Sequence, residues 1–88
     1  MSESQDLIAD ECDAIKAMLL EKNRLYGDSA LKPIRCYSKA DSIEQIKVRI
    51  DDKISRRMRG TGTDDEDVEA DLIGYLILLR VARRMREC

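Results

Sequence analysis

TDDEDVEADLIGYLILLRVARR, residues 63–84, is the stretch whose reading decides the fold. It opens with six carboxylates, Asp64, Asp65, Glu66, Asp67, Glu69 and Asp71, turns almost wholly apolar, and ends with Arg80, Arg83 and Arg84. Thr63 followed by Glu66 three residues later is a capping-box pattern, which predicts a helix over about 63–85. Acid at its start and arginine at its end both suit the helix dipole. That polarity does not account for Asp71, which stands between Val68, Leu72, Ile73 and Gly74. Asp64, Asp67 and Asp71 recur at i, i+3 and i+7 and therefore share one helical face. A carboxylate carried into a buried face needs a partner: a metal ion, a cation from elsewhere in the chain, or water at the rim. The remainder of the helix is apolar nearly all round, whereas a surface helix needs only a stripe of roughly 100°. Two short partner helices cannot cover it, so it is expected to lie in the subunit interface of a homo-oligomeric helical bundle.

Working outward, two further helices are expected. Leu7, Ile8, Cys12, Ile15, Met18, Leu19 and Leu25 recur near the 3.6-residue period over about 4–25, and Gly27 suits the left-handed position just past the helix end. Ser42 with Gln45 reads as a second capping box, opening a helix over 43–58 with the apolar seam Ile43, Ile46, Ile50 and Ile54. Residues 26–41 are irregular, punctuated by Gly27, Asp28, Ser29 and Pro33; they read as a solvated crossover or a ligand-binding loop. Gly60-Thr61-Gly62 links the second and third helices. The expected architecture is a single all-α domain, residues 1–88.

The totals exclude several function classes. Formal net charge is -2, with 16 basic and 18 acidic residues, so a dedicated nucleic-acid binder is not expected. There is no Trp, no Phe and only three Tyr, which leaves few platforms on which single strands can stack. With no His, there is no Ser-His or Cys-His nucleophile pair and no imidazole ligand. Cys12, Cys36 and Cys88 are too far apart for a zinc site and read as reduced thiols of a cytosolic protein. Met1 leads into polar, acidic sequence, so no signal peptide is expected, and the run Leu76–Leu79 is too short to cross a bilayer.

A short link makes the second and third helices antiparallel neighbours. Asp51 or Asp52 can then approach Asp67 and Asp71. Oxygen ligands without His or Cys suit Mg²⁺ or Mn²⁺, usually shared with substrate phosphates. The alternative needs no metal: Asp52, Asp67 and Asp71 pair with Arg49, Lys53 and Arg56 and fix the helix register.

KNRLYGDSALKPIRCYSK (22–39), RIDDKISR (49–56) and DLIGYLILL (71–79) resemble, in order and spacing, the nucleotide-modification-associated domain family of phage and bacterial proteins. That family is itself similar to the MazG-like all-α NTP pyrophosphohydrolases, Mg²⁺-dependent helical oligomers that split nucleoside triphosphates into monophosphate and pyrophosphate. Asp71 matches the closing acid of that superfamily's E-x-x-D motif. Val68 stands where its Glu belongs, Asp67 is the nearest substitute, and no E-x-x-E exists on 43–58. The resemblance implies a cytoplasmic, phage-type nucleotide-handling protein. Lys22, Arg35, Lys39, Arg49, Lys53 and Arg56 would hold phosphates, Tyr26 or Tyr75 would meet base or sugar, and Asp52, Asp67 and Asp71 would hold Mg²⁺. The leading expectation is a nucleotide-binding protein, whose reaction, if it is an enzyme, is Mg²⁺-dependent (d)NTP pyrophosphohydrolysis; the alternatives are a module that sequesters a nucleotide unchanged, or one that inhibits a host protein.

Overall fold

The computed structural model describes residues 2–60 and 67–87. Three helices follow in order, α1 (Glu3–Tyr26), α2 (Ser42–Arg59) and α3 (Val68–Glu87), with no strand among the described residues. The all-α reading of the sequence stands.

The helix ends differ from the expected ones for identifiable reasons. α1 begins with a capping box that the sequence reading passed over: the Ser2 hydroxyl accepts from Gln5 N–H at 3.2 Å, and Ser2 N–H donates to the Gln5 side chain at 3.3 Å. Its other end is as expected, with Gly27 in the left-handed region at φ 61 and its N–H bonded to the Asn23 carbonyl at 2.9 Å. The Ser42–Gln45 box does not form. Asp41 is the N-cap of α2 without a side-chain cap bond. Ser42 Oγ accepts instead from Arg35 at 3.2 Å, and Gln45 Nε2 donates to Ser38 Oγ at 3.4 Å. A donor, Arg35, and an acceptor, Ser38, both in the 35–40 segment, have taken the two groups. α3 begins at Val68, five residues later than Thr63. Asp67 caps it, its carboxylate accepting Ala70 N–H at 2.9 Å. The proposed Thr63–Glu66 box lies outside the described residues.

α2 and α3 run antiparallel and share the core. Arg86, near the end of α3, reaches Asp41 before α2, while Arg57, near the end of α2, meets Glu69 at the start of α3 at 3.2 Å. Between them Ile43, Ile46, Leu79 and Ala82 are buried, flanked by Leu31, Ile50, Tyr75 and Leu78. Ile46 is 1% exposed, the most deeply buried side chain described. The seam expected on α2 holds at Ile43, Ile46 and Ile50 but has left the core by Ile54, which is exposed.

α1 joins α3 over its C-terminal half only. Gly74 makes that contact close: a Cβ there would stand 3.0 Å from Leu19 Cδ2 and 3.2 Å from Met18 Cε. Its role is to admit the side chains of a neighbouring helix. Upstream, every residue from Ser2 to Ala14 is exposed. The molecule is correspondingly extended, 48 × 36 × 22 Å. Its radius of gyration is 14.8 Å, against about 12 Å for a compact chain of this length. None of the helices is long and apolar enough to cross a membrane among the described residues.

Candidate functional site

The C-terminal half of α1, the turn after it, Arg49 of α2 and the first half of α3 enclose a cleft of about 330 Å³. Its floor is apolar: Met18, Leu19, Leu31, Leu78 and the Gly74 backbone. Its polar groups are Lys22, Asn23, Asp28, Ser29, Arg49 and Asp71, and Tyr26 and Tyr75 contribute the rings. The volume and the mix of an apolar lining with a few polar groups fit a small-molecule site.

Local sequence explains how the turn reaches the cleft. Gly27 ends α1, and Asp28 follows in the left-handed region at φ 66, a conformation that Asp tolerates better than most residues. The Asn23 side-chain amide donates to the Asp28 carboxylate. The Asp28 carbonyl then accepts from Leu31 N–H at 3.0 Å and Lys32 N–H at 2.7 Å. This folds residues 28–31 back against α3 instead of letting them run on into solvent.

Asp71 is the electrostatic centre. Lys22 Nζ of α1 donates to Oδ1 at 3.3 Å, and Lys53 Nζ of α2 donates to Oδ2 at 3.1 Å. One carboxylate therefore ties all three helices together. Partial burial pushes its pKa up, but the hydrogen bonds and charges of Lys53 and Lys22 together outweigh that and hold it below the ordinary aspartate value. Arg49 stands differently: it lines the same cleft, and no carboxylate pairs with it among the described residues.

Of the residues singled out in the sequence, Lys22, Tyr26, Arg49, Tyr75 and Asp71 come together in this cleft, and Lys53 reaches it through Asp71. Arg35, Lys39 and Arg56 do not line it. Arg35 donates to the Ala40 carbonyl and Ser42 Oγ, so it fastens the 35–42 segment to the start of α2. Of the crossover, only its first turn meets the cleft. Asp52 is exposed and Asp67 is the cap of α3; neither lines the cleft with Asp71. Among the described residues no three acidic or cysteine side chains stand close enough to share a metal ion. Two ammonium groups, those of Lys22 and Lys53, already neutralise the Asp71 carboxylate.

Asn23 escaped the sequence reading, while the 28–31 turn lies in the stretch read as a crossover or a ligand-binding loop. Their signal was an Asp directly after a C-terminal glycine, with an amide side chain one helical turn earlier. No family model, no curated protein and no solved structure matches the chain.

Proposed function

We propose that this chain binds a nucleotide in the cleft between α1 and α3 and does not hydrolyse it. The observation that carries the reading is the uncommitted guanidinium of Arg49 in a cleft that also holds the Lys22 ammonium, two tyrosine rings and an apolar floor. A phosphate takes a fork of donors such as Arg49. A base takes a ring face and an apolar wall, which Tyr75, Tyr26 and Leu78 offer, and Asn23 supplies donor and acceptor at its edge. Hydrolysis would need an activated water. The two carboxylates in the cleft are poor bases for it: Asp71 is neutralised by two lysines and Asp28 is bonded by Asn23. Sequestration is therefore favoured over pyrophosphohydrolysis. The same reading takes the working unit to be a homo-oligomer, because the single chain leaves so much apolar helix uncovered.

A thermal-shift screen of nucleotides, with Mg²⁺ and with EDTA, tests it. A ligand at a hundred times its dissociation constant adds about 2.7 kcal/mol of stability. We expect such a shift to persist in EDTA, to vanish in Arg49→Met, and to leave the nucleotide intact by chromatography. No shift with any nucleotide refutes the site. Release of monophosphate that depends on Mg²⁺ and on Asp71 refutes the binding-only reading.

A further inference from the structure

We infer that the N-terminal half of α1 is a docking arm, and that its seat is the outer face of α3 in a second copy of this chain. The apolar stripe of α1 does not stop where its contact with α3 stops. Ile15, Met18 and Leu19 face α3, and one and two turns upstream the same side of the helix continues through Cys12, Ile8 and the adjoining Leu7. Leu7 is 56% exposed and Ile8 63% exposed. Among the described residues nothing covers this half.

The outer face of α3 is its complement in shape and charge. Ile73, Leu76 and Ile77 point away from the α2 contact and are exposed. Arg80 and Arg84 extend the same stripe at i+7 and i+11 from Ile73. On the arm, Leu7 and Ile8 are flanked by Glu3, Asp10 and Glu11. None of these three acids or two arginines has an ion-pair partner among the described residues. One surface is apolar with an acidic border; the other is apolar with a basic one.

The exposed area fits an obligate partner. The chain exposes 7155 Å², about 1,900 Å² more than a folded monomer of 10.1 kDa should. A standard interface buries about 800 Å² per partner and obligate homodimers bury more. Arm to outer face, exchanged reciprocally, closes a two-fold dimer and leaves no free arm. A second copy is the occupant that carries both halves of the match.

The inference rests on the homo-oligomer reading and is independent of what the cleft binds. The test is the solution mass of the full chain by sedimentation and light scattering over a dilution series, with α-helix content followed by circular dichroism. We expect at least twice the 10.1 kDa chain mass. Leu7→Glu/Ile8→Glu should fall to the chain mass, as both side chains are exposed in the single chain. Arg80→Glu/Arg84→Glu should also dissociate, and adding Asp10→Lys/Glu11→Lys to it should restore assembly. A wild-type chain that runs at its own mass overturns both the oligomer reading and the arm. A wild-type oligomer that Leu7→Glu/Ile8→Glu leaves intact, or one that the reversed charges fail to restore, overturns the arm alone.

Discussion

Asp71→Asn is the substitution that best isolates the physics of the cleft. Asparagine keeps the shape and one acceptor oxygen but removes the charge to which two ammonium groups are anchored. The two halves of the pair differ in weight. Lys53 is 14% exposed and Asp71 19%, so their bond lies in the range of about 1.5–3 kcal/mol for hydrogen bonds to charged groups. Lys22 is 51% exposed, and its share falls in the range of surface pairs, about 0.2–1 kcal/mol. With one acceptor retained, the expected loss is about 2 kcal/mol, nearly all from the Lys53 side. For a domain of this size that lowers the melting temperature by roughly 8–16 °C.

Urea unfolding at fixed protein concentration reads the loss directly. The pH dependence supplies a second readout. The pKa of Asp71 in the folded chain lies below its ordinary 3.8. The unfolded state therefore binds the proton first as pH falls, and the stability due to the charged form is present above 3.8 and lost below it. Wild type and Asp71→Asn should be separated by the full amount at neutral pH, and the separation should shrink as the pH drops through the folded value. A gap below about 0.5 kcal/mol at neutral pH is what an ordinary surface change gives, and would refute the three-helix anchor. So would a gap that acid leaves unchanged.

Ile46→Ala empties the most buried position of the α2–α3 core and should cost about 2–5 kcal/mol, read by the shift in urea midpoint. Asp67→Ala and Asp41→Ala separate a working cap from an idle one: the first should cost about 1 kcal/mol and the second less than half of that, since Asp41 has only its surface pair with Arg86. Gly74→Ala should be near neutral by thermal melting, because about 1 kcal/mol of helix propensity is offset by contacts with Leu19 and Met18, whose flexible ends can give way; Gly74→Leu should open the α1–α3 contact and abolish any ligand-induced shift. Lys22→Met should cost less than about 1 kcal/mol in urea unfolding yet weaken ligand binding, which calorimetry measures.

The fold was legible because its signals are local and repeat. The Ile43, Ile46 and Ile50 spacing and the glycine after Tyr26 state their helices within a few residues, and little else in the chain contradicts them. The capping pairs were less safe. Ser42 and Gln45 have the right spacing, but the same hydroxyl and amide can serve donors and acceptors far off in the loop, and Arg35 and Ser38 claimed them. The cleft was legible by residue type, and the metal-free alternative anticipated one of its pairings, Asp71 with Lys53. Asp71 was correctly singled out as a carboxylate that an apolar helix must satisfy. Which partner satisfies it depends on the angle at which α1 crosses α3, and no spacing rule encodes that angle. Lys22 ends the apolar stripe of α1 at the i+7 position from Ile15, where a cation meets whatever the facing helix offers.

Neutralising the carboxylate changes what the cleft can select. A bare Asp71 would repel phosphate and attract a cation; with Lys22 and Lys53 on its two oxygens, it becomes a hinge pin whose outer side is positive. Of the two lysines, Lys22 is the one half in solvent and lining the cleft, so an anionic ligand can draw on it without stripping Asp71 of its deeper bond to Lys53. Arg49 adds a second cation from α2, and the rings come from α1 and α3. A ligand with one charged end and one flat end would thus touch all three helices at the junction where α1 meets α3. Its binding energy would be spent partly on holding α1 to α3, and every change that loosens that junction, at Gly74, Lys22 or Asp71, should weaken the ligand in proportion.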